Sequence, residues 1–411
     1  MAKELAQQAQ DQLDRFCRQY LQLLRVLDYP DDEYLRNGEF QESIYKRLFE
    51  ENASQYPPPQ RYQFRVLKEL TKRIENSIQD WDEEAVSDNL MDQLSVMMST
   101  PLPSEFTAAQ QSSYVTYTLS SLSSSSSVSL ENKDVPPTIT LLESASLLAG
   151  AGTTGLRTFS NTYSHVPTTT FTRTHKLSST HAWDAALHLS TYLSLHPALV
   201  SHKTILELGC GTGLVSILCA KYLHATHVLA TDGSPKTLIA LNTSLYLNGL
   251  TSTPSTPSTP STPSTPSSSQ ETTHPKISTR ELIWGHLLSS GEFDSFSSFL
   301  SSKSSNSDSA SSPGDLDLVL AADVLYSPEI IPSFIATLED LFDLYPAVEV
   351  LIASPIRNRA TCSLFTEMCG RKKWAVQRVE GFEILERREQ KGPWYGELGE
   401  EIEINWVRRG K

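Results

Sequence analysis

The sequence predicts an α/β fold: a doubly wound, mostly parallel sheet of seven strands, preceded by an all-helical N-terminal region. Three observations carry that expectation. From Thr204 onward, short apolar runs alternate with apolar stripes at helical spacing. The first run ends in a glycine-rich turn and the second in an acid. Residues 1–100 carry apolar stripes at spacings of three and four and read as helical.

In the helical region Leu13, Phe16, Tyr20, Leu24 and Leu27 form one stripe, which stops at Tyr29-Pro30. Pro57-Pro58-Pro59 breaks the chain again, because proline cannot continue a helix. Leu67, Leu70, Ile74 and Ile78 make a second stripe, and Val86, Leu90, Leu94 and Met97 a third. Helices this short need a partner surface to bury such faces. Further on, Thr204 to Leu208 reads as a buried strand, Leu214 to Leu223 as a helix, Val228 to Thr231 as a second strand and Pro235 to Asn248 as a second helix. Glu281 to Trp284, Leu316 to Ala322 and Val348 to Ala353 read as three more strands, with a helix over Ile330 to Phe342. Trp374 to Val376 and Ile402 to Val407 supply the last two.

At ~100–200 residues per domain, 411 residues allow two or three domains. The reading divides them into 1–135, the helical region with a Ser-rich linker, and 136–411, the sheet domain. Inserts near 159–182, 251–272 and 289–313 interrupt the second; Thr251 to Pro266 repeats Ser-Thr-Pro. Such compositions cannot bury enough apolar surface to offset their ordering entropy and read as disordered loops. Lys+Arg is 34 against 48 Asp+Glu, a net charge of −14, which argues against a general nucleic-acid binder and leaves room for a basic protein partner. Residues 1–135 hold 13 Lys/Arg and 22 Asp/Glu, a balance of −9, so most of the excess acid sits there. No run of 18 apolar residues is present, so no transmembrane helix is expected. The start has no apolar stretch of signal-peptide type, and five scattered cysteines read as reduced thiols of a cytosolic or nuclear protein.

The strongest chemical signal is Glu207-Leu208-Gly209-Cys210-Gly211-Thr212-Gly213, between strand and helix. Glycines permit the sharp turn and let a ligand approach the backbone. Asp232 closes the next strand, 21 residues after Gly211, where an acid can accept hydrogen bonds from ribose hydroxyls. Leu214 stands where a dinucleotide fingerprint wants Gly or Ala, which weakens a nicotinamide reading. A ligand without a pyrophosphate fits better, and S-adenosylmethionine is the obvious one. The fourth strand ends in Ala321-Ala322-Asp323-Val324-Leu325-Tyr326, beside the first in this topology. An acid and a phenol there can hold an amine; Asp323 can equally be a cap for the following helix. Trp284 can stack on an adenine or simply be core. The ten histidines show no metal-type arrangement.

Together these residues resemble the seven-strand class I protein-lysine methyltransferases, of Rossmann-like fold. ELGCGTG, Asp232, LIWG and AADVLY stand in that family's order. The closest resemblance is to the elongation factor 2 lysine methyltransferases of eukaryotes, in their fungal form. Those also carry a helical N-terminal region and a segment of which Gly152 to Thr158 (GTTGLRT) and Trp183 to Leu189 (WDAALHL) match the two parts. Residues 159–182 separate those parts here.

The resemblance implies methyl transfer from S-adenosylmethionine to a lysine of translation elongation factor 2. It implies that Gly209, Cys210 and Gly211 hold the methionine end and Asp232 the ribose. Trp284 and Ala322 would flank the adenine, Trp183 would close the pocket, and Asp323 and Tyr326 would position the substrate lysine. It implies no metal, no nucleic-acid or membrane partner, and a cytoplasmic monomer. A methyltransferase fold acting on another protein, a non-catalytic cofactor-binding module and a nicotinamide-dependent oxidoreductase are the alternatives.

Overall fold

The computed structural model describes residues 2–104, 111–123, 136–144, 184–251, 276–288, 316–356, 359–382, 385–396 and 401–410. The chain forms two compact units, one of Met1–Thr118 with Thr140–Ser146 and the other of Leu119–Ile139 with Leu147–Lys411. The 251–272 and 289–313 inserts, Thr251 apart, lie outside the described residues, as do 159–182 and GTTGLRT.

The first unit holds helices α1 (Ala2–Leu21), α2 (Asp32–Leu35), α3 (Gly38–Leu48), α4 (Gln60–Ser77) and α5 (Asp88–Ser99). Strands β1 (Ser112–Thr118) and β2 (Thr138–Ser144) form a two-stranded sheet. The stripes of α1 and α4 are buried in one core, to which Leu13, Phe16, Tyr20, Leu67, Leu70 and Ile74 belong. The first stripe does not run to Leu27 as one helix. Leu23 takes a left-handed φ of 57° just past the end of α1, so Leu27 reaches the core from the following turn. Buried Gln41 ties α3 to the approach of α5: its Nε2 donates to Leu35 O (2.8 Å) and Ala85 O (3.1 Å), and its Oε1 accepts from Ser87 N (2.7 Å).

The second unit is built on seven strands in the order β5-β4-β3-β6-β7-β9-β8. In chain order they are β3 (Thr204–Leu208), β4 (His227–Asp232), β5 (Ile277–Glu281), β6 (Leu318–Ala322), β7 (Glu349–Pro355), β8 (Trp374–Arg378) and β9 (Ile402–Arg409). Pairing is parallel from β5 to β7, and β9 is antiparallel to both its neighbours. Helices α6 (Ser120–Ser123), α7 (Asp184–Leu195), α8 (Leu214–Lys221), α9 (Pro235–Leu247), α10 (Ile331–Leu344) and α11 (Arg359–Arg371) complete it. Ile205, Leu206, Val228, Ala230, Val319 and Leu320 are buried, which is why the central strands read as unbroken apolar runs. On α7, His188 packs its ring 4.6 Å from Phe382 and 5.3 Å from Trp394, centroid to centroid.

One strand lies four residues before its expected place. Glu281 to Trp284 was the apolar stretch, yet β5 is Ile277–Glu281, and only Ile277 of it is buried. It is an edge strand set by its main-chain ladder to β4, Val228 to Asp232 against Ile277 to Glu281. Trp284 therefore stands in the turn after the strand. The register also fixes the site: Leu208 lies level with Thr231 on one side and Ala321 on the other. The carboxyl ends of β3, β4 and β6 thus share one rim, at the point where strand order reverses, the usual place for a ligand crevice.

Candidate active site

The glycine turn leaves β3 at Gly209, whose φ of 71° favours glycine. A Cβ there would lie 3.3 Å from Trp284 Cζ2 and 3.5 Å from Val324 Cγ1, so the absence of a side chain keeps this approach open. Cys210 N donates to Thr231 O (2.8 Å) and Gly213 N to Cys210 O (2.8 Å), which closes the turn onto β4. Cys210 is buried; burial, with Glu207 and Asp232 nearby, raises its thiol well above the usual range. It is a neutral packing group rather than a nucleophile.

Asp232 ends β4 and is buried. Its Oδ2 accepts from Gly211 N (3.2 Å) and its Oδ1 from Ser234 N (2.9 Å). Burial raises its pKa, and these N–H groups oppose that rise. The Thr237 hydroxyl bonds the carboxyl as well. A carboxylate has about four acceptor positions, so one is left for a further donor. A buried carboxylate joined to the glycine turn suits a ribose hydroxyl. The residues therefore fit a nucleoside-bearing cofactor.

Trp284 is half-buried and sits edge-on to Phe334, centroids 5.0 Å apart. It packs against the core and borders Gly209 together, so its two sequence readings are one arrangement. Ala322 ends β6, paired with Ala353. Asp323 follows with a left-handed φ of 56°, held by its N donating to Ala353 O (2.9 Å). Asp tolerates this conformation better than most residues. Tyr326 is 39% exposed. Partial burial, then the charges of Asp232 and Asp323, raise its pKa, so the phenol keeps its proton at neutral pH and is close enough to feel both acids. Gly209, Cys210, Gly211, Asp232, Trp284, Ala322, Asp323 and Tyr326 thus share the strand-end rim. Trp183 lies outside the described residues.

Residues 169–256 and 299–371 match the lysine methyltransferase family. Over 398 residues the chain is 42% identical to protein-lysine N-methyltransferase EFM3 of Chaetomium thermophilum, covering 97% of this chain and 98% of that one. The chain belongs to the protein-lysine N-methyltransferases. It is also 26% identical over 362 residues to human protein-lysine N-methyltransferase EEF2KMT, covering 86% of this chain and 82% of that one. Saccharomyces cerevisiae EFM3 is 24% identical over 247 residues, 57% of this chain and 53% of that one. Membership makes the chain an enzyme that methylates a lysine of a protein, and it removes the oxidoreductase and the non-catalytic module from consideration.

Two residues of this protein-lysine methyltransferase were missed in its sequence. Thr231 donates its hydroxyl to Glu207 O (2.6 Å), linking the ends of β3 and β4. Glu207 is itself buried, its carboxyl bonded to the Ser216 hydroxyl. A charged residue inside the run TILEL was the available signal, because buried acids require a partner.

Proposed function

We propose that the chain transfers a methyl group from S-adenosylmethionine to a lysine ε-amine of translation elongation factor 2. The observation that carries the cofactor is the buried Asp232 carboxylate, bonded to Gly211 N and still able to accept from a ribose. The factor is supported by the resemblance that GTTGLRT, AADVLY and the helical N-terminal region carry. The acidic balance of residues 1–135 suits a large, basic-faced substrate, whose association then weakens with salt.

The bound cofactor supplies an electrophilic methyl carbon on a sulfonium. In this reading the turn Gly209, Cys210 and Gly211 lies along its methionine end, where carbonyl lone pairs not used within the turn can accept from the ammonium, and Asp232 accepts from its ribose. Trp284 and Ala322 border the adenine, and Trp183 takes the closing position that the resemblance gives it. The substrate amine has a pKa of ~10.4 in water and attacks only once deprotonated. Asp323 attracts the ammonium, and the Tyr326 phenol orients its nitrogen. Enclosure lowers the amine's pKa against the opposing pull of Asp323, and the proton leaves to water before the attack. Positioning of the two reactants is the main work of the site.

The test is methyl-labelled S-adenosylmethionine with purified elongation factor 2, followed by mass spectrometry of the labelled band. Label on one lysine of that factor is the expected result. Label on other extract proteins but not on the factor would overturn the substrate and keep the chemistry. Failure of S-adenosylhomocysteine to bind would overturn the cofactor.

A further inference from the structure

We propose that Glu207 is a positioning residue for the glycine turn: it caps helix α8 from strand β3, in place of the helix's own N-cap residue. Helix α8 begins at Leu214, so the backbone N–H groups of Leu214, Val215 and Ser216 have no partner within the helix. A serine, threonine, aspartate or asparagine at the N-cap would normally serve one of them. Here the N-cap is Gly213, with φ 86° and no side chain to bond with. A side chain there would be strained by that φ, and its Cβ, 2.1 Å from Leu241 Cδ1 of α9, would force the leucine to shift.

The cap comes instead from six residues earlier in the chain. Glu207 is 3% exposed, and its carboxyl accepts from both the hydroxyl and the backbone N–H of Ser216, the third residue of α8. Thr231 holds the Glu207 carbonyl by its hydroxyl (2.6 Å) and the Cys210 N–H by its own carbonyl (2.8 Å). Gly209 to Gly213 is therefore strung between two fixed ends, Glu207 on the strand and Ser216 on the helix. The titratable groups facing the carboxyl are Asp232 from β4, Cys210 from the turn and Cys219 from α8, whose thiols burial keeps protonated. Burial, with the Asp232 charge added, pushes the Glu207 carboxyl up to about 8, so at neutral pH it keeps a proton. Glutamine has the same shape and the same pairing of one acceptor with one donor.

The inference rests on the cofactor reading above, and the measurement separates the two. S-Adenosylhomocysteine is titrated into the full-length wild type, Glu207→Gln, Glu207→Ala and Ser216→Ala at pH 7, with melting temperature recorded for each. One to two lost hydrogen bonds predict a fall of about tenfold in affinity for Glu207→Ala and about fivefold for Ser216→Ala, with Glu207→Gln within about threefold of wild type. In turnover, KM for S-adenosylmethionine rises in Glu207→Ala while kcat and KM for the protein substrate hold. Between pH 7 and 9 the ratio of wild-type to Glu207→Gln affinity changes as the carboxyl ionises, the ligand's own amine affecting both alike. A lower melting temperature with unchanged affinity in Glu207→Ala would overturn the proposal. Should that variant not fold, wild-type affinity in Ser216→Ala would overturn it instead. Should wild type not bind the ligand, the cofactor reading fails. The cap is then read from amide exchange at Ser216, where equal rates in Glu207→Ala and Glu207→Gln would overturn it.

Discussion

Asp232→Ala is the sharpest test of the cofactor site. In the folded chain the carboxylate is buried and already accepts from Gly211 N at 3.2 Å and Ser234 N at 2.9 Å. Its desolvation was therefore largely incurred on folding, and little of a ribose's hydrogen-bond energy is offset when the ribose binds. Hydrogen bonds to a charged acceptor are worth ~1.5–3 kcal/mol, which converts to an affinity loss of about ten- to a hundredfold. The same change leaves two backbone N–H groups without their acceptor, each costing ~1 kcal/mol of stability. Asp232→Asn keeps an oxygen and the side-chain volume and should fall between wild type and alanine. Titration calorimetry with S-adenosylhomocysteine measures the affinity, and circular dichroism with thermal melting establishes that the variant is folded. Unchanged affinity in a folded alanine variant would refute the assignment.

Four further outcomes follow from the same geometry. Tyr326→Phe should lower kcat by about fivefold, the worth of one hydrogen bond, with S-adenosylhomocysteine affinity unchanged; an altered affinity would place the phenol in the cofactor pocket. Gly213→Ala combines left-handed strain with overpacking against Leu241 and should lose ~2–4 kcal/mol in urea unfolding. The folded pKa of Glu207 is raised from 4.5 to about 8, so between those values the folded state holds the extra proton and stability falls as pH rises, by ~1.4 kcal/mol per unit. Glu207→Gln should lose less stability than wild type between pH 5 and 8, and parallel curves would contradict a protonated Glu207. Burial lowers His188 from 6.5 to about 4, so there the unfolded state holds the extra proton and stability is lost as pH falls through that window. His188→Phe should resist acid better than wild type, and an identical acid midpoint would count against a neutral buried ring.

The central sheet was legible because parallel strands covered on both faces need unbroken apolar runs, and β3, β4, β6 and β7 have them. Edge strand β5, ISTRE, lacks that signal: its backbone ladder defines it and its side chains are mostly partly exposed. Helix α11 was missed because its buried stripe is Thr361, Phe365 and Cys369, in which only phenylalanine looks like core. In β1 the alternation was present at Val115 and Tyr117, but the surrounding serines and threonines hid it. At the site, the glycine turn, Asp232, Asp323 and Tyr326 were legible as residues at strand ends. Glu207 and Thr231 were not, since their roles depend on which strands become neighbours. The positive φ of Asp323 was equally unreadable, because it goes with a bond to Ala353 on β7, which the sequence does not show to be the neighbour of β6.

The chain passes from the first unit to the second at residue 118, returns at residue 140 and leaves again after residue 146. No single cut in the polypeptide divides the two. A truncation starting at Pro136 removes β1 and strands β2 without its sheet neighbour, so any loss of methylation would mix missing recognition with an exposed, unpaired edge. During synthesis the first unit likewise cannot finish until Ser146 has emerged, by which time Leu119–Ile139, which belong to the second unit, are already made.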